Sequence, residues 1–110
     1  MTNIEALRAL CNSIANTFYP DDATLEFVLF NQGLNSTDAA IPKDIAIFRI
    51  AAGLVRGYIE SARTENGVST SVMQETVEKS LRYWCGVYGV DADEIIAEFE
   101  RVIDDASNLY

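Results

Sequence analysis

The residues of this chain that could carry chemistry are two cysteines and several groups of carboxylates, with no histidine among them. Histidine is the most common general base and transition-metal ligand, so catalysis would need carboxylates, tyrosines or a cysteine instead. Cys11 and Cys85 are far outside C-x-x-C spacing, and Cys85 follows Trp84 in an amphipathic helical pattern. We therefore expect two buried structural thiols in a reducing compartment, and no nucleophile.

Two acidic clusters invite a metal-site interpretation. Residues 91–94 (DADE) look like the start of a calcium-binding EF-hand loop, which needs glycine at its sixth position and glutamate at its twelfth. This chain has Ile96 and Val102 at those positions, so the segment does not match an EF-hand loop. The spacing within 91–94 is that of a helix capping box, and residues 21–22 likewise predict a turn and a cap. We predict no metal, no cofactor and no enzymatic activity.

Apolar residues at helical spacing predict an all-α fold of about five helices packed around a long central apolar helix. The predicted helices span about 3–17, 23–32, 45–63, 71–88 and 91–107. They form a single domain over 1–110, in which 91–110 is an added acidic C-terminal helix. Residues 68–72 alternate apolar and polar, which predicts a short extended or β segment. A capping box that opens the fourth helix at Ser71 is the alternative.

The central helix combines a wide apolar arc with a narrow basic strip. At about 100° per residue, its apolar residues fill roughly 200° of the helical wheel. Three arginines recur every seventh residue opposite that arc, beside a seam that contains two glycines. This strip is either a solvated face or a docking stripe for an acidic neighbour, such as another copy's C-terminal helix. The G-x-x-x-G spacing favours close helix packing. The strip and seam comprise Arg49, Arg56, Arg63, Gly53 and Gly57.

The net charge of −9 is unevenly distributed. Residues 1–42 and 91–110 are strongly acidic, whereas 43–90 are nearly neutral. This balance disfavours general nucleic-acid binding, and the longest apolar run, 45–55, is too short to cross a membrane. We expect a cytoplasmic protein. Acidic ends that face a basic strip also allow head-to-tail pairing of identical subunits, although a solvated surface explains the same charges.

Four segments of the chain resemble the head-tail connector (adaptor) family of tailed phages and related prophage proteins of gut bacteria. They are YPDDATLEFVLFNQGL, PKDIAIFRIAAGLVRGYIESA, ENGVSTS and LRYWCGVYGV, and the likeness covers roughly residues 1–90. The resemblance implies a helical subunit of a ring beneath the capsid portal, which bridges portal and tail proteins. It places the central helix at the subunit interface and makes residues 67–72, including Gly67, Val68 and Val72, a docking loop.

Two functional hypotheses follow. The first is a non-catalytic connector subunit that oligomerises, docks to portal and tail proteins in the bacterial cytoplasm, and ends in the virion. The second is a small acidic regulatory module, similar to an inhibitor or antitoxin, that masks a basic partner with its 91–105 helix. Removing residues 91–110 separates them, because binding should vanish under the second hypothesis, whereas ring contacts could survive under the first.

Overall fold

The chain folds into successive α-helices, as the sequence predicts. The computed structural model describes residues 1–66 and 70–99, with side chains outside 62–73. A fifth helix, α5, is described over 92–99. Within the described ranges, extended backbone pairs at one isolated bridge, between Thr2 and Ala39. The fold is therefore all-α. The other helices are α1 (Asn3–Ile14), α2 (Asp22–Asn31), α3 (Ile45–Asn66) and α4 (Thr70–Tyr88).

The N-terminus of α1 is capped twice. Thr2 and Glu5 form a capping box, in which the Glu5 backbone N–H donates to Thr2 Oγ1 at 3.3 Å and the Thr2 backbone N–H donates to Glu5 Oε1 at 3.0 Å. The bonds that Glu5 accepts from Thr2 hold the pKa of its carboxyl below the ordinary value. The loop after α2 supplies further acceptors, since the Asn3 backbone N–H donates to Asp38 O at 2.9 Å and Asn3 Nδ2 to Asn35 O at 2.8 Å.

Helix α1 ends earlier than its pattern predicts, at Ile14, because Ala15 is extended. The change of direction places the Phe18 ring against Tyr58 of α3, with ring centroids 4.6 Å apart in a stacked arrangement. Thr17 Oγ1 also lies 2.9 Å from the Tyr58 hydroxyl. Tertiary packing with α3 thus replaces the last predicted turn of α1.

Glycines end α2 and α4 in the same way. Gly33 and Gly89 have φ values of +74° and +70°, the left-handed conformation that favours glycine. After α2, the backbone N–H of Leu34 donates to Leu29 O at 2.9 Å, and that of Gly33 donates to Phe30 O at 3.0 Å. This pair of bonds is a Schellman motif. The prediction that Gly33 ends α2 is confirmed.

The ends of α3 and the start of α4 differ slightly from the predicted ones. Residues 43–44 precede α3. Asp44 Oδ1 accepts the backbone N–H of Ala46 at 2.9 Å, so Asp44 caps the N-terminus of this helix. Helix α3 continues to Asn66. Because α4 begins at Thr70, residues 70–72 are helical. The predicted extended segment is therefore wrong for these three residues, and Ser71 lies inside the helix and does not cap it. Residues 67–69 lie outside the described ranges.

Each described helix contributes one face to the hydrophobic core, and α3 packs against both α1 and α4. Ile50, Leu54 and Tyr58 of α3 are only partly buried, so the buried arc of this helix is narrower than the apolar arc in its sequence. None of the described helices is both long enough and apolar enough to cross a membrane. The largest side chains of the core are Phe48, Phe99, Leu7, Leu25, Leu29, Ile59 and Leu81.

Candidate protein-docking surfaces

The structure describes half of the predicted interface residues. Those four lie on α3, and together they form what we call the Gly53 surface: Arg49, Gly53, Arg56 and Gly57. Arg63 belongs to α3 and Val72 to α4, but neither side chain is among those described, and Gly67 and Val68 lie outside the described ranges. The docking loop predicted for 67–72 therefore remains a prediction for 67–69.

The two described arginines of the strip have different environments. Arg56 is half-buried and its Nη1 lies 3.5 Å from Glu98 Oε1 of α5, so this arginine has a partner within the chain. Arg49 is exposed and makes no ion pair with any described side chain. A partly exposed ion pair contributes little to stability. Arg49 is thus the cation of the Gly53 surface that is available to another molecule.

The two glycines of this surface are not used for packing by the described part of the chain. A Cβ added at Gly57 would meet no described atom within 4 Å, and one at Gly53 would meet Arg56 Nη2 at 4.0 Å. No described helix therefore packs closely on the G-x-x-x-G seam, so the close packing indicated by this spacing stays a prediction. Each glycine in a helix interior still costs about 0.5–1 kcal/mol relative to alanine. Within the described residues, no contact of these glycines offsets that cost.

Two hollows adjoin at the Gly53 surface and share Arg49, Gly53 and Arg56 as a common wall. The α2-side hollow is open to solvent, has a volume of about 330 Å³ and is bordered by Val28, Asn31 and Gln32 at the end of α2 and by further α3 residues. The α5-side hollow has a volume of about 240 Å³ and is closed by α4 and α5. Their apolar walls come from Ile50 and Leu54 in the first, and from Ala52, Leu81, Ile95 and Phe99 in the second.

A second surface, which the sequence interpretation missed, lies on α2. Leu25 and Leu29 are fully buried, whereas Phe27 and Phe30 on the opposite side are 62% and 78% exposed. The outward α2 face consists of Ala23, Glu26, Phe27 and Phe30, which line an open cleft of about 790 Å³ together with residues 33–36. These positions have the i, i+3, i+4, i+7 spacing of a helix that packs on another helix or groove. The sequence signal for this surface is that α2 is apolar on opposite sides, although the spacing does not show which side is exposed.

The candidate chemical groups have structural roles. Burial raises the pKa of the Cys11 thiol to about 12 and also raises that of Cys85, which makes both poor nucleophiles at neutral pH. Both cysteines are free and buried, as predicted. Asp91 Oδ1 accepts the backbone N–H of Asp93 at 3.0 Å, in agreement with a helix cap. Arg82 Nη1 lies 3.1 Å from Asp93 Oδ1 and links α4 to α5. Among the described residues, no three histidine, cysteine, aspartate or glutamate side chains are placed to hold a metal ion.

Comparison with known proteins assigns a family and no activity. The chain belongs to a family of unknown function (DUF6706), whose model matches residues 1–110. Neither the curated proteins nor the solved structures contain a match to this chain.

Proposed function

We propose that this chain is a structural subunit that self-assembles and docks to other proteins without catalysis, as a phage or prophage head-tail connector does. The observation that carries the proposal is the Gly53 surface. Gly53 and Gly57 lower the stability of α3 while no described part of the chain packs on them. Another subunit that approaches this surface closely would explain why the two positions are not alanine.

The exposed aromatic residues of α2 support the same proposal. Phe27 and Phe30 present most of their rings to solvent on one helix face. Aromatic residues are enriched in the buried centres of protein interfaces, where they contribute much of the binding free energy. The likeness of residues 1–90 to connector proteins supplies the expected partners, which are further copies of the chain and the portal and tail proteins of a phage. Assembly would take place in the bacterial cytoplasm.

The regulatory alternative has less support. In that hypothesis, the acidic side chains of the C-terminal helix bind a basic partner, but two of them already form ion pairs within the subunit. Asp93 contacts Arg82, and Glu98 contacts Arg56. A basic partner would have to compete with these arginines for the carboxylates.

The test is the mass of the purified full-length chain by light scattering, from micromolar to millimolar concentration, alone and with the portal protein of the same genome. We expect species heavier than the 12.2 kDa subunit, at high concentration or on the portal. A chain that stays monomeric throughout and does not bind the portal would contradict the proposal. Loss of portal binding in the full-length variant Asp93→Asn/Glu98→Gln, with self-association unchanged, would favour the regulatory alternative, because it would show that the acids of the C-terminal helix bind the partner.

A further inference from the structure

The outward α2 face has the features of one half of an interface. Its two phenylalanines are three residues apart, so their side chains are neighbours on the helix surface. Buried aromatic side chains remove about 150–250 Å² each from water, and most of that area is still exposed at Phe27 and Phe30. Leu25 and Leu29 already anchor the opposite side of α2 in the core. The exposed rings are thus available to a partner without disturbing the fold.

The negative charge of the residues around this face indicates which kind of surface it can bind. Residues 9–42 contain four acidic residues and no lysine or arginine. Within that segment, Glu26 belongs to the face itself, and Asp22 is bound to Arg8 of α1. Pairing two copies through identical α2 faces would leave both Glu26 carboxylates in the interface without a cation from residues 9–42, which is unfavourable. The partner surface must therefore combine apolar hollows with a cation.

The Gly53 surface of a second copy offers a cation and two hollows of mixed lining, in which apolar side chains lie beside Arg49 and Arg56. Arg49 is exposed there and makes no ion pair among the described residues. The hollows that adjoin at Gly53 have volumes of about 240 and 330 Å³. A buried apolar cavity of about 150 Å³ is sufficient to hold a benzene ring, so each hollow is large enough for one phenyl ring.

We infer that the outward α2 face of one copy docks on the Gly53 surface of the next, with Phe27 and Phe30 in the two hollows and Glu26 paired with Arg49. The two surfaces are different patches of the same chain, so the contact is head-to-tail. Such contacts generate closed rings or open filaments, depending on the rotation between subunits. This inference rests on the proposed function and names the surfaces through which self-assembly occurs.

The test is sedimentation velocity of full-length variants, checked for folding by the fluorescence of Trp84. We expect the double variant Phe27→Ala/Phe30→Ala to weaken self-association by about tenfold or more. Its control is Tyr83→Ala, which removes an aromatic side chain that is 65% exposed on α4 and should leave association unchanged.

A charge exchange tests the predicted pairing. Glu26→Arg and Arg49→Glu should each weaken association by several-fold, and the combined variant should recover most of the loss, as directly interacting residues do. Lys79→Glu, on α4 and paired with Glu75, is the control for a change of charge elsewhere. Self-association that is insensitive to both aromatic substitutions, or charge variants that do not rescue each other, would overturn the inference and leave the proposed function standing. A wild-type chain that is always monomeric and ignores the portal would overturn both.

Discussion

Replacing Gly57 by alanine should stabilise the isolated subunit. Gly57 lies inside α3, where glycine costs about 0.5–1 kcal/mol relative to alanine because of its greater backbone freedom in the unfolded chain. The new Cβ would meet no described atom within 4 Å, so the described residues offer no steric opposition to the gain. At Gly53 the nearest atom is Arg56 Nη2 at 4.0 Å, which is an ordinary contact. The variant Gly53→Ala/Gly57→Ala should therefore unfold with a free energy about 1–2 kcal/mol higher than that of the wild type.

The assay is urea unfolding of dilute protein, followed through Trp84, the single tryptophan of the chain. A gain of this size raises the urea midpoint by roughly 1 M, because the slope for a small protein is about 1–3 kcal/mol per M. Gly33→Ala is the matched control. Its φ of +74° is unfavourable for alanine, so it should lose about 1 kcal/mol instead. A lower free energy of unfolding for Gly57→Ala would refute the reasoning, because it would show that the seam is packed within the subunit.

Three further predictions concern the two faces of α2, the cap of α1 and the burial of Cys11. Leu29→Ala removes a fully buried side chain and should cost about 3 kcal/mol or more, whereas Phe30→Ala, at 78% exposure, should change the unfolding free energy of the monomer by no more than about 0.5 kcal/mol. Similar losses in urea unfolding would argue against the two faces of α2. Thr2→Ala should cost about 1 kcal/mol at neutral pH. Its difference from the wild type in thermal melts should shrink in acid, because the pKa of Glu5 is lowered in the fold and its contribution disappears as the pH falls through that pKa. Finally, Cys11 should resist alkylation in the native protein at neutral pH and react once urea unfolds the chain, since burial raises its pKa to about 12. Rapid native labelling would contradict its burial.

The sequence predicts the helices well where local signals agree with the tertiary structure. Gly33 and Asp21 mark the ends of α2 because a positive φ and a side-chain cap are local properties. The end of α1 was predicted too late, because it depends on Phe18 stacking against Tyr58, forty residues further along the chain. Residue spacing does not report such a contact.

The candidate surfaces could be predicted only in part. The sequence places Arg49 and Arg56 on one strip, but the ion pair between Arg56 and Glu98 depends on how α5 returns to α3. The outward α2 face does not follow from the predicted helix over 23–32, although Phe27 and Phe30 lie within it. A short helix that is apolar on opposite sides has no amphipathic pattern, and only its position at the edge of the bundle shows which side is exposed.

The most direct test of head-to-tail docking is a mixing experiment with two variants that each lack one half of the contact. Phe27→Ala/Phe30→Ala removes both rings of the outward α2 face, whereas Gly53→Leu places a bulky side chain on the wall that the two hollows share and leaves that face intact. Sedimentation velocity should show each variant alone as a monomer of about the 12.2 kDa subunit mass, and an equimolar mixture as a heterodimer that grows no further. The account is contradicted if either variant assembles alone as the wild type does, or if the mixture stays monomeric at concentrations where the wild type assembles.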